Sequence, residues 1–141
     1  MPEMCFDNLS AGEQFDRTIH ELRGDDMKLI AALLQDPYPP HFDPRRADEL
    51  GYPGLLNQGP ANLAYLLQPI VAELDVPTDL ERIETRFHDM VFEDETVTAT
   101  ATVEAKTATN GRGGLVEFAV ALVKENGDVA VDGMVTARFA E

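Results

Sequence analysis

The chain has 141 residues, 44% of them apolar, which is enough for one hydrophobic core and predicts a single domain over residues 1–141. Twenty-six acids face eleven bases, for a net charge of −15. That balance disfavours nucleic acid and anionic membrane surfaces as partners, because nothing would neutralise their phosphates.

In chain order, Phe15 to Ile19 reads as a short strand with Phe15, Arg17 and Ile19 on one face. Asp25 and Asp26 mark a helix N-terminus, followed by Met27, Ile30, Ala31, Leu33 and Leu34 at helical spacing. That helix must stop near Gln35, since Pro37, Pro39 and Pro40 cannot continue it. Pro44 to Leu50 reads as a second helix, with Asp43 as N-cap, Pro44 at the first helical position and Gly51 as its end. Pro60 to Leu74 is the most apolar segment. Leu63, Leu66, Leu67, Ile70, Val71 and Leu74 cover much of its circumference, which predicts a buried helix. Pro69 inside it predicts a bend or a break in the hydrogen bonding.

From Glu81 onward the apolar period becomes two. Ile83, Thr85 and Phe87 form one face, Val97, Ala99, Ala101 and Val103 a second, and Val116, Phe118, Val120 and Leu122 a third. The last is Val129, Val131, Val135, Ala137 and Phe139. The turn signals Asn110-Gly-Arg-Gly-Gly114 and Asn126-Gly127 predict antiparallel hairpins. The pattern predicts an α+β fold in which an antiparallel sheet wraps one long helix. Ala99, Ala101, Ala119 and Ala121 are the small residues expected to admit that helix closely.

Cys5 is the only cysteine, so neither an internal disulfide nor a cysteine-based metal site is expected. Three histidines without ligand spacing predict no metal. No apolar run reaches the ~18 residues of a membrane span. Met1 to Asp7 lacks the pattern of a signal peptide, so a cytoplasmic location is the default expectation. Only three bases are lysine (Lys28, Lys106, Lys124), and none lies between Arg46 and Arg82. A salt-adapted surface and an ordinary acidic cytoplasmic protein both fit; the scarcity of lysine favours the first.

The chemistry concentrates in Asp36-Pro-Tyr-Pro-Pro-His-Phe-Asp43 and Asn57-Gln-Gly-Pro60. Asp36 and His41 sit on a proline-stiffened loop. As a pair they could hold one water and move its proton, imidazole being the side chain best matched to proton transfer near neutral pH. The alternative is that Asp36 caps a turn and His41 is a surface residue. Gly59 opens the long helix, where free N–H groups and the helix dipole would stabilise an oxyanion; the alternative is an ordinary helix start. Asn57 and Gln58 either orient substrate or satisfy buried backbone groups. Tyr38 either reaches the site or packs on the loop prolines. His88 is expected to face solvent, and His20 has no partner near it in sequence.

Gln35-Asp-Pro-Tyr-Pro-Pro-His-Phe-Asp43 resembles the hydratase motif of MaoC-like proteins, the (R)-specific enoyl-CoA hydratases and 3-hydroxyacyl-thioester dehydratases. The likeness continues through Ala47, Gly51-Tyr-Pro-Gly54, Gly59, Phe92-Glu-Asp-Glu-Thr-Val-Thr98 and Gly127 to Gly133. It implies a hot-dog fold, an antiparallel sheet wrapped round a long central helix, in a homodimer or larger. It also implies reversible hydration of a 2-enoyl-CoA in fatty acid metabolism, with Asp36 and His41 as the catalytic pair. Gly59 would bind the thioester oxygen, and no cofactor is needed beyond the coenzyme A of the substrate. Arg45 and Arg46 are candidates to meet that polyanion, or else they pair with Asp48 and Glu49. Three positions depart from the family pattern: Gln35 replaces its glycine, Tyr38 its asparagine and Gln58 its histidine. The alternatives are a hot-dog acyl-CoA thioesterase and a non-catalytic acyl-CoA-binding subunit of a heteromer with a second hot-dog chain.

Overall fold

The computed structural model describes residues 4–74, 79–111 and 113–141. Residues 1–3 of the N-terminal stretch and Arg112 of the first hairpin signal lie outside them. In order come β1 (Gln14–Ile19), α1 (Gly24–Leu34), a 3-10 turn (Pro39–His41), α2 (Pro44–Glu49) and α3 (Gly59–Val71). Four strands follow: β2 (Leu80–Phe87), β3 (Val97–Ala108), β4 (Gly114–Lys124) and β5 (Val129–Phe139). They form one antiparallel sheet with β1, in the order β1-β3-β4-β5-β2.

The alternation read from the sequence builds the core. Val97, Ala99, Ala101 and Val103 of β3 face Val116, Phe118, Val120 and Leu122 of β4, and all eight are buried. Leu66, Leu67 and Ile70 of α3 close over them. Each such side chain contributes roughly 1.5–3 kcal/mol when fully buried. The helix lies chiefly on β3, where Ala99 and Ala101 leave it room. Ala119 and Ala121 do not serve that purpose. They alternate with Phe118, Val120 and Leu122 and so lie half-exposed on the opposite face.

Two further expectations change. Val129 is exposed rather than part of the core face, because a register shift between Leu122 and Val123 breaks the alternation and buries Ala130 instead. Helix α3 ends at Val71 rather than at Leu74; it runs through Pro69, whose missing N–H removes one helical hydrogen bond. It opens at Gly59, as expected. Strand β2 is an edge strand on which Ile83 and Phe87 remain exposed. No helix among the described residues is long and apolar enough to cross a membrane.

Candidate active site

Asp36 is delivered by the end of α1. Gln35 takes a left-handed conformation (φ 53°, ψ 41°), and the Asp36 N–H donates back to the Ala31 carbonyl at 2.9 Å. This closes the helix and turns the chain outward. One carboxylate oxygen, Oδ1, accepts the Tyr38 N–H at 3.1 Å, which is the turn-capping role of an aspartate. The other, Oδ2, faces His41 Nε2 at 3.4 Å. The two readings of Asp36 are therefore compatible, one for each oxygen.

His41 ends the 3-10 turn begun by Pro39 and Pro40, and it is buried. Its Nδ1 lies 2.7 Å from the Leu56 carbonyl oxygen. A carbonyl can only accept, so Nδ1 carries the hydrogen and Nε2 of the neutral ring is an acceptor. The Leu56 N–H donates to the Pro40 carbonyl at 2.9 Å, which ties the two segments in both directions. Tyr38 stands edge-on to the imidazole, with ring centroids 5.3 Å apart at 71°. At 3.4 Å the Oδ2–Nε2 separation exceeds an ordinary N–H···O bond. A carboxylate and an unprotonated ring nitrogen pointing at one another form a two-acceptor site suited to a water.

Three residues beyond Leu56, Gly59 begins α3. Its N–H has no hydrogen-bond partner among the described residues, as expected of a helix start followed by proline. A Cβ at Gly59 would come 3.7 Å from Phe87 Cε1, an ordinary contact, so packing alone does not demand glycine there. Asn57 and Gln58 sit against this helix start but turn inward. Asn57 Nδ2 donates to Asn62 Oδ1 at 2.6 Å, and Gln58 Nε2 donates to the Met27 carbonyl at 3.0 Å. Gln58 is fully buried, so its side chain ties α3 to α1 rather than facing a substrate. Asn57 is also buried, and the Oδ1 of Asn57 and Oε1 of Gln58 are buried acceptors without a partner.

Arg45 and Arg46 lie on α2 and pair locally. Arg45 Nε is 3.7 Å from Asp43 Oδ1, and Arg46 Nη1 is 2.9 Å from Glu49 Oε2. An open hollow of about 640 Å³ is lined by Lys28, Ala31, Ala32, Gln35, Asp36, Pro37 and Phe42. Two others, of about 400 and 430 Å³, lie between β1 and the C-terminal half of α3 and include neither Asp36 nor His41. Among the described residues no cluster of three His, Cys, Asp or Glu side chains could hold a metal ion. His88 is exposed, as expected, with Nε2 2.7 Å from Asp132 Oδ1.

The segment behind the site is pinned by one lysine. Leu56 bridges Phe92, and the Asn57 N–H donates to the Val91 carbonyl at 2.8 Å. Lys124 Nζ donates to the Met90 carbonyl at 2.9 Å and lies 3.1 Å from Glu95 and 3.4 Å from Asp89. Burial alone would lower the pKa of this ammonium, but bonding and attraction from Glu95, then Asp89, outweigh it and raise the pKa above the ordinary lysine value.

An antiparallel sheet wrapped round a central helix is the hot-dog class of α+β fold, and solved structures share it. R-hydratase PhaJ1 from Pseudomonas aeruginosa superimposes with a TM-score of 0.86 at 21% identity, over 99% of this chain and 87% of that one. The (R)-hydratase from A. caviae involved in PHA biosynthesis gives 0.77 at 19% identity, over 94% and 98%. A chain of the ChsH1–ChsH2 complex from Mycobacterium tuberculosis gives 0.73 at 18%, over 92% and 98%. No curated protein matches by sequence. A family model described as MaoC like domain matches residues 9–126, and the chain belongs to that family.

Three features of the site had little or no signal in the sequence. The Leu56 carbonyl that orients His41 is a backbone atom and leaves no residue-type mark. Phe87, at the end of edge strand β2, lies against Gly59, which its alternation with Arg86 and His88 does not reveal. Lys28 reaches the Asp36 hollow because α1 places it two turns before Asp36.

Proposed function

We propose that this chain is a hydratase that adds water reversibly to a 2-enoyl-CoA to give the (R)-3-hydroxyacyl-CoA. The observation that carries the reading is Asp36 Oδ2 facing His41 Nε2 at 3.4 Å, with Nδ1 committed to the Leu56 carbonyl. A water held by both acceptors donates one hydrogen to each. The water oxygen bonds to C3 of the enoyl group as one of these acceptors takes its proton. The C2–C3 π electrons move toward the thioester carbonyl, giving an enolate at its oxygen. The Gly59 N–H and the positive end of α3 stabilise that charge. Return of a proton from the pair to C2 completes the addition, so the enzyme ends as it began. Dehydration is the same path reversed.

The hydration path calls on no cofactor beyond the coenzyme A of the substrate. The working unit is a homodimer or larger assembly of this one-domain chain in the cytoplasm. A second hot-dog chain is the alternative partner, and the apolar side chains left exposed on β2, Ile83 and Phe87, favour some neighbour there. Tyr38 walls the imidazole. Lys28, which lines the same hollow as Asp36, adds to Arg45 and Arg46 as a cation for the coenzyme A phosphates, while Asn57 and Gln58 support the helix start. A thioesterase would need the carboxylate to aim water at C1 and release a free thiol; the paired imidazole favours addition at C3. The test is incubation with crotonyl-CoA, following both enoyl-thioester absorbance and free thiol. Loss of absorbance without thiol supports hydration. Thiol release would establish the thioesterase instead.

A further inference from the structure

Glu93, half-buried in the loop between β2 and β3, reaches both arms that carry the catalytic pair. Its Oε1 accepts the Leu55 N–H at 2.9 Å, and its own N–H donates to the Leu55 carbonyl at 2.9 Å. That two-way clamp stands one residue before Leu56, whose carbonyl holds His41 Nδ1. The other carboxylate oxygen, Oε2, lies over Gly24, the first residue of α1, where any Cβ would collide with it. Gly54 faces the same side chain: a Cβ there would come within 2.6 Å of Glu93 Cγ and 3.0 Å of Oε1. Two glycines far apart in sequence thus leave room for one carboxylate.

The chemistry of this place suits an anion. The first turn of α1 presents unsatisfied N–H groups and the positive end of a helix dipole, and Arg23 at its N-cap supplies no side-chain cap. The opposite end of α1 is the Gln35 turn that delivers Asp36. The residues after Glu93 hold the same arm: the Asp94 N–H donates to the Leu22 carbonyl at 2.7 Å, and the Leu22 N–H donates to the Glu95 carbonyl at 2.9 Å. Lys124 fixes this loop from behind through Glu95 and Met90.

We propose that Glu93 is a positioning residue for the catalytic pair. It locks the N-terminal end of α1 to Leu55 and so sets the spacing of Asp36, carried by α1, against His41, carried by the Leu56 carbonyl. It touches no reacting atom. The kinetic part of this inference rests on the hydratase reading; the part concerning the His41 ring does not.

The test is Glu93→Gln, which keeps the shape and one acceptor but removes the charge, compared with wild type after thermal unfolding has shown both to be folded. With crotonyl-CoA, kcat should fall about tenfold to a hundredfold, the scale of a small misplacement of reacting groups. KM should stay within about twofold, because no substrate contact is lost. The ¹⁵N spectrum of the His41 ring should lose the wild-type pattern of a protonated Nδ1 and a bare Nε2. Glu93→Asp, which keeps the charge but shortens the reach, should give the same split between kcat and KM. A folded Glu93→Gln with wild-type kcat and an unaltered His41 spectrum would overturn the proposal. If the wild type does not turn over crotonyl-CoA, the hydratase reading is in difficulty, and the ring spectrum alone decides for or against Glu93.

Discussion

Gln35 occupies the backbone position on which the presentation of Asp36 depends, and Gln35→Gly tests it. At φ 53° a side chain meets the following carbonyl, at a cost of roughly 1–2 kcal/mol. Glycine removes that strain but loses more backbone freedom on folding, about 0.5–1 kcal/mol. The Gln35 side chain is exposed, and no hydrogen bond from it is found among the described residues, so little else changes. The net expectation is a stabilisation of about 0.5–1 kcal/mol, or roughly 2–4 °C in Tm for a chain of this size. Urea unfolding should show a higher midpoint with an unchanged slope. Turnover should be retained, because glycine adopts the same turn and leaves the Asp36 N–H on the Ala31 carbonyl. A Gln35→Gly variant less stable than wild type would refute the reasoning. So would a steeper or shallower urea slope, which would mean that the helix end had reorganised.

Gly59→Ala should leave stability within about 0.5 kcal/mol, since its methyl group meets Phe87 at ordinary contact distance. It should nonetheless lower kcat about tenfold or more by crowding the N–H at the start of α3, as steady-state kinetics beside urea unfolding would show. The raised pKa of Lys124 means that its ion pairs stabilise the fold fully below the unfolded-state lysine value and that this is lost only as pH climbs through the higher folded value. The stability gap between wild type and Lys124→Met should therefore stay constant from pH 6 to 9, by the linkage argument, and shrink near pH 11 and above. With a net charge of −15, Tm should rise as salt goes from about 0.05 to 1 M, because screening weakens self-repulsion; a flat or falling Tm would count against a salt-adapted surface.

The sheet was readable because its physics is written in side-chain type. A period of two in β3 and β4 requires one apolar face, and Val97 to Val103 against Val116 to Leu122 leaves no choice of which face is buried. The same rule turns Ala119 and Ala121 outward, against their expected place under the helix. Val129 could not be placed by alternation, because a bulge is a backbone event that shifts register without a composition signal. The Asp36–His41 pairing was legible because prolines restrict the loop and carboxylate and imidazole are chemically distinctive. For Gln58 one of its two expected roles, satisfying a buried backbone group, is the one found; the choice between them was not legible, because only the packing of α1 over the start of α3 brings the Met27 carbonyl within 3.0 Å of its amide. The Leu56 support of His41 acts through a backbone carbonyl, which every residue possesses.

The proposed mechanism requires Asp36 and His41 together to activate one water for addition to an enoyl thioester. Its most direct measurement is the initial rate of crotonyl-CoA hydration by Asp36→Asn and His41→Gln, against wild type, with each variant shown to be folded. Asp36→Asn keeps an oxygen for the Tyr38 N–H, so its turn should survive while its proton-accepting power is lost. In each variant kcat should fall at least about a hundredfold, the scale of a lost general base. Wild-type turnover in either folded variant would contradict it.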